Sequence, residues 1–341
     1  MNTDERNKRK RDIILVAVDE YIRTAQPITS GGLNAHFTDI SSATIRNELN
    51  ALESMGYFKQ LHTSGGRVPT NLAYREYVNA VLNSNSKINS KNIEKVVSQY
   101  ENKSISLIST LSTLAKKLSR ATNCPAVLVQ HGLQNLVITN IQIIPLIQKD
   151  ALLLVETVAG IIDDNLCLEP NIERSACVEA SEYLTAHFKG KTIKYLVDNI
   201  NNVCLTAGAQ ILEFKQLIDG VANALNNAIK TKCNVSNENP TKLLAGLSKQ
   251  EIDDTKNVFE FLEDADKVID TVKEETDEFN FTIGDEDSKL KGGMMMSAPI
   301  VINGVPIASL ALLGPRRIDY ANVAAALKFI VNQIDNLKGD D

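Results

Sequence analysis

Between Ser41 and Thr70 the spacing of apolar residues changes its period, and that change leaves few folds open. Over residues 42–55, Ile45, Leu49 and Leu52 recur at four and three, the repeat that lines one side of an α-helix. Gly56 then supplies an ordinary helix stop. Beyond it, residues 57–61 and 67–69 read as short extended pieces joined by His62, Thr63, Ser64, Gly65 and Gly66, whose paired glycines permit positive φ in a hairpin. Upstream, Ile14, Ala17, Val18 and Tyr21 give residues 6–23 one buried helical face, and Pro27 breaks it. Residues 28–37 are expected to form a second short helix capped by Thr29 or Ser30, although Gly31 and Gly32 are poor helix formers. Helix, helix, helix, hairpin is the order of a winged helix-turn-helix.

The far side of the third helix carries Ala43, Arg46, Asn47, Asn50 and Ser54. Arginine grips guanine O6 and N7, asparagine bonds adenine N6 and N7 at two points, and an alanine methyl touches the thymine methyl, so this face suits base edges in a major groove. Such a face on an isolated helix would ordinarily be solvated. Here a preceding short helix, a following hairpin with Lys59 and Arg67, and the basic cluster Arg6, Lys8, Arg9, Lys10 and Arg11 favour nucleic acid. The net charge of −6 does not oppose this, because the first 80 residues hold ten Lys and Arg against nine Asp and Glu. The acidity lies downstream, above all in 251–287, where Val258, Phe261 and Leu262 at helical spacing predict one or two helices with solvated acidic faces.

The 341 residues, 43% of them apolar, suffice for two or three globular domains. No long uncharged apolar run and no signal-like segment behind the charged N-terminus are present, so a cytoplasmic protein with no membrane partner is expected. Cys124, Cys167, Cys177, Cys204 and Cys233 are odd in number and scattered, which predicts reduced thiols rather than disulfides or zinc. The four histidines stand far apart, and no metal or other cofactor is expected. No nucleophile elbow, phosphate-binding loop or dinucleotide fingerprint occurs, and Asp163–Asp164 and Asp253–Asp254 read as turn or helix-face carboxylates, so catalysis is not expected.

Particular motifs carry a family resemblance. SSATIRN at 41–47, LE-x-x-G at 52–56, HTS-x-GR at 62–67 and P-T-x-x-x-Y-R-x-Y-V at 69–78 follow one another, and LGPRRIDYANV stands at 313–323. The chain resembles the HrcA family of bacterial heat-inducible repressors of chaperone operons over nearly its whole length. Gly31 and Gly32 depart from the ordinary helix formers usual there. The resemblance implies an α+β multidomain protein: a winged-helix DNA-binding domain at 1–82, a linker at 83–92, a GAF-like α/β domain at 93–159 and 236–341, and an inserted dimerisation domain at 160–235. It further implies an inverted-repeat operator of the CIRCE type, bound by a homodimer, and a chaperonin that keeps the repressor active.

The residues independently support a mixed body. Residues 126–130, 137–145 and 151–157 read as strands, 294–313 as a hairpin turning at Asn303-Gly304, and 320–337 as a closing helix with Val323, Leu327, Ile330, Val331 and Ile334 on one face. The polar run 83–92 reads as a hinge. In the leading reading Ala43, Arg46, Asn47 and Asn50 read bases, Ser41, Ser42 and Thr44 hold phosphate at the helix N-terminus, and Lys59 and Arg67 follow the backbone or minor groove. The alternative is a small-molecule-responsive regulator with a ligand pocket in the GAF-like domain. GGMMM at 292–296 could line one, but methionines at a strand start are more often core.

Overall fold

The computed structural model describes residues 3–60, 66–83, 106–146, 150–167, 172–206, 212–230, 232–236, 249–273, 279–285 and 288–336. The expected linker beyond Asn83 and the expected hairpin turn at 62–65 lie outside them. Among the described residues no helix is long and apolar enough to cross a membrane.

The N-terminal unit begins with α1 (Thr3–Thr24), which buries Ile13, Ile14, Ala17 and Val18. Ala25 at φ 55° ends it, its N–H bonded to the Tyr21 carbonyl at 2.9 Å. Helix α2 (Ser30–Asn34) is shorter than expected at five residues and buries only Leu33. Its cap is Thr29, whose hydroxyl accepts from the Gly32 N–H at 3.1 Å. Helix α3 (Ser42–Ser54) is capped by Ser41, which accepts from the Thr44 N–H at 3.2 Å. Strands β1 (Phe58–Gln60) and β2 (Arg67–Pro69) pair antiparallel, and Ile28 joins their edge through two hydrogen bonds to Arg67. Gly66 is needed here: a Cβ would stand 2.7 Å from that of Pro27 and 2.8 Å from the Ile28 carbonyl oxygen. A fourth helix, α4 (Asn71–Asn83), packs on α1 and α3's neighbour β2.

The body holds α5 (Leu107–Thr122), β3 (Ala126–Gln130), β7 (Lys232–Ser236), α9 (Lys249–Glu263), α10 (Ala265–Lys273), β8 (Asn280–Ile283), β9 (Gly293–Ile302), β10 (Val305–Pro315) and α11 (Tyr320–Asn336). Its strands form one antiparallel sheet in the order β7-β3-β10-β9-β8. Alternate side chains serve two cores. Leu128, Leu310, Leu312, Met294 and Met296 pack toward α5 and α11, while Val127, Val129, Ala311, Leu313 and Met295 pack against Val258, Phe261, Val268 and Val272 of α9 and α10. A sheet covered on both faces requires the nearly unbroken apolar runs seen in β3 and β10. Asn303 and Gly304, at φ 50° and 78°, make the expected β9–β10 turn.

A second sheet, β4 (Ile138–Pro145), β5 (Asp150–Thr157) and β6 (Gly160–Cys167), is an antiparallel meander backed by α6 (Arg174–Phe188) and α8 (Leu212–Ile229), with α7 (Ile193–Thr206) packed on α8. The expected boundary at 159/160 falls inside the β5–β6 hairpin, where Thr157 pairs with Gly160. Residues 138–157 therefore belong with β6 and not with the larger sheet. Helix α6 closes the β4 edge with hydroxyls: Thr185 accepts from the Ile141 N–H at 3.0 Å and Ser181 from the Ile143 N–H at 2.8 Å.

The N-terminal unit meets the body at Tyr320, which is fully buried. Its ring packs against Tyr74 and Tyr77 of α4 at 5.9 and 6.2 Å and against Phe281 of β8 at 5.6 Å. Beside it Arg316 holds both oxygens of Asp254 at 2.9–3.1 Å and donates to Asn71 Oδ1 at 3.2 Å. Arg317 pairs with Glu251 and donates to the Ile22 carbonyl at 3.2 Å. Lys328 reaches the Leu82 carbonyl at 3.1 Å, and Arg75 of α4 reaches the Ile283 carbonyl at 3.4 Å. Here the expectation of solvated acidic faces is corrected: Glu251 and Asp254 are buried and paired, whereas Asp253 is exposed as expected. Burial raises the Asp254 carboxyl, and the Arg316 guanidinium opposes that rise.

Removing one partner of a buried pair leaves the other desolvated and uncompensated. Asp254→Asn should therefore cost about 2–3 kcal/mol, because Arg316 keeps some solvent contact. Lys256→Gln, which breaks the exposed pair with Glu260, should leave stability unchanged. Denaturant titration of both variants checks this, and equal effects would remove the junction's special standing.

Candidate nucleic-acid interface

Helix α3 divides its residues cleanly between inside and outside. Ile45, Leu49 and Leu52 are fully buried against α1, α2 and β1, while Ala43, Arg46, Asn47 and Asn50 are exposed together on the other side. The division follows from the three-and-four spacing, because the inward residues fix the rotation of the helix. Glu48 was not anticipated on the inner side: it is buried, and its Oε2 has no hydrogen-bond partner among the described residues. Glu48 stands three positions after Ile45 and four before Leu52, the spacings that share a helix face, so position alone could have flagged it.

At the helix start, Ser41 and Thr44 are joined, their hydroxyls 2.9 Å apart, and Ser42 is exposed beside them. Free N–H groups at a helix N-terminus favour anions, and the Ser41 cap takes up one of them. Lys59 of β1 is exposed. Arg67, expected to follow the DNA backbone or minor groove, is instead engaged within the protein. Its side chain is only 13% exposed, its Nε donates to Glu53 Oε2 at 2.8 Å, and its Nη2 donates to Asn50 Oδ1. Strand β2 is thereby tied to the outer edge of α3. Glu53 is the residue that sequence reading missed here, although its spacing of three from Asn50 puts the two side by side on a helix.

The basic N-terminal cluster is partly engaged within the unit. Arg11 pairs with Glu76 of α4 at 2.8 Å, and Lys10 reaches the Met55 sulfur at 3.7 Å. Arg6 and Lys8 are exposed. Between the β1–β2 pair and the body lies an open cleft of about 1040 Å³, lined by Tyr21, Pro27, Lys59, Leu72, Asp253 and Arg317 among others. It lies at the junction and not at GGMMM, whose methionines are fully buried core.

Likeness to known proteins covers the chain almost end to end. The family described as HrcA protein C terminal domain matches residues 109–324. A heat-inducible transcription repressor HrcA of Clostridioides difficile (strain 630) is 31% identical over 336 residues, spanning 96% of this chain and 98% of its own. The protein of the same name from Ruminiclostridium cellulolyticum is 28% identical over 339 residues, spanning 96% of each. Among solved structures, a crystal structure of a hypothetical protein at 2.2 Å resolution superposes with a TM-score of 0.67 at 20% identity, covering 96% of this chain and 97% of that one, which supports the fold. The chain belongs to the HrcA family of heat-inducible transcription repressors.

Proposed function

We propose that residues 3–83 act as a winged helix that lays α3 in the major groove of an inverted-repeat operator, and that the chain thereby represses heat-shock chaperone operons. One observation carries this reading: Ala43, Arg46, Asn47 and Asn50 stand exposed in one group on a helix whose opposite side is locked into a core. Each suits a base edge, and rigid placement is what direct readout needs. Ser42 and Thr44, with the Ser41 cap, sit where a phosphate would approach the helix N-terminus. Lys59 follows the backbone from the wing. The body with its two-faced sheet serves as the GAF-like domain, and the α6–α8 unit with β4–β6 serves as the inserted dimerisation domain.

A two-fold pair is needed because one winged helix covers only a few base pairs, and two half-sites add their free energies. The inserted unit supplies a surface for it. Val178 of α6 and Ile144 and Leu146 near the end of β4 are apolar and 38–50% exposed. The reading extends to a chaperonin that keeps the repressor in its active form, as the family resemblance implies.

Three measurements test these statements. Arg46→Ala and Asn47→Ala leave the buried face intact, so each should cost about 1–3 kcal/mol on the matching operator and little on scrambled duplex. Equal loss on both duplexes would make Arg46 a phosphate anchor and displace α3 from the groove. In sedimentation, Val178→Glu should convert a dimer into a monomer and weaken operator binding, and a persistent dimer would move the interface elsewhere. In gel shifts with the inverted repeat, protein that loses binding on standing should regain it with chaperonin, and indifference to chaperonin at every temperature would count against that dependence.

A further inference from the structure

Arg67 of β2 is engaged inside the protein, and where it is engaged bears on what α3 reads. Arg67 is held by its backbone on both sides, pairing with Gln60 in the hairpin and exchanging hydrogen bonds of 2.7 and 2.9 Å with Ile28. The close approach of Gly66 to Pro27 fixes the strand just before it. From that anchored position the guanidinium reaches Glu53 Oε2 and Asn50 Oδ1. A guanidinium only donates, so the Asn50 atom that faces it is the carboxamide oxygen, and the amino group points the other way. Glu53 accepts the Arg67 Nε–H and so keeps the guanidinium turned toward α3.

We propose that Arg67 is a positioning residue that sets which base edge Asn50 reads: with its oxygen taken by Arg67, Asn50 offers N–H donors outward and selects a base presenting acceptors. Guanine, through O6 and N7, and thymine, through O4, present acceptors with no neighbouring donor on the same base, whereas adenine sets its N7 acceptor beside the N6 donor. Two-point recognition of adenine needs an outward oxygen to accept from N6 as well as the amino group to donate to N7, and that oxygen is engaged. The proposal rests on the reading of α3 as the groove-lying helix.

Selection of bound sequences from a random duplex library, with the full chain, tests it. Asn50→Asp keeps the shape and the contact with Arg67 but turns the outward donor into an acceptor. At one position per half-site, preference should move from guanine or thymine to cytosine or adenine, whose amino groups donate, by about tenfold. Arg67→Met frees the Asn50 carboxamide, so the same position should admit adenine while the positions read by Arg46 and Asn47 stay unchanged. Arg67→Lys, which reaches one partner at a time, should relax that position in the same direction, and it serves if the methionine variant melts early.

The proposal is overturned if Asn50→Asp leaves the selected sequence as it was. It is also overturned if loss of Arg67 weakens every duplex alike and lowers the salt slope by about one, the mark of a phosphate contact. Failure of the groove reading itself looks different: the unaltered protein would select no sequence, or Arg46→Ala would leave its selected sequence untouched.

Discussion

The orientation of the N-terminal unit depends on two guanidinium groups from adjacent residues, Arg316 and Arg317. Each neutralises a buried carboxylate of α9 and then passes one further hydrogen bond across to the N-terminal unit, to Asn71 and to the Ile22 carbonyl. The apolar contacts of Tyr320 with Tyr74 and Tyr77 hold the parts together but tolerate sliding. Directional bonds to fixed acceptors do not. Buried ion pairs add little net stability over apolar packing, so their contribution here is to choose one arrangement. Two segments far apart in the chain, 69–78 and 313–323, meet at this point, and the direction in which α3 faces follows from their meeting.

Where residues repeat locally, the sequence was readable. The inner face of α3, the β9–β10 turn at Asn303-Gly304, the strand at 126–130 and the closing helix α11 all lie where their periods put them. The failures share a cause, which is that a charge in a sequence does not name its partner. Glu251 and Asp254 looked solvated because their arginines stand more than sixty positions away. Arg67 read as a contact to the DNA backbone or minor groove because Glu53 and Asn50, fourteen and seventeen positions back, take it up only once β2 folds onto α3. The candidate reading face itself was legible, since Ala43, Arg46, Asn47 and Asn50 needed only the helical repeat to be grouped. The inserted unit was misplaced for another reason: a tight turn at Gly160 joins β5 to β6, and a hairpin partner is part of the same sheet whatever the composition around it.

The position of that unit in the chain is physically economical. It leaves the larger sheet after β3 and returns at β7, and those strands are neighbours, with Gln130 opposite Lys232. The ends of the excursion are thus already close, and a folded unit between them costs little closure entropy however long it is. The larger sheet keeps continuous hydrogen bonding across the junction. Helix α5 reaches β6 of the excursion, and one apolar core runs on from the α5 and α11 face of the larger sheet into the β4–β6 unit, whereas the core against α9 and α10 holds no residue of that unit.

Charge economy sharpens the proposed mode of binding. The first 80 residues are nearly balanced, and several of their cations are engaged internally: Arg11 by Glu76, Arg23 by Asp19 and Glu20, Arg67 by Glu53, Arg75 by Asp285. Non-specific affinity for duplex grows with the number of phosphates neutralised, and a unit with few cations to spare neutralises few. Discrimination between an operator and the surrounding genome is a ratio of affinities, so a weak non-specific term raises it as surely as a strong specific one. In the proposed mode of binding, arginines engaged by the protein's own carboxylates would give less grip on arbitrary sequence and leave recognition to the directed groups of α3. Under that proposal such a reader would hold one half-site loosely, and doubling the directed contacts across a two-fold axis would bring its affinity into a useful range.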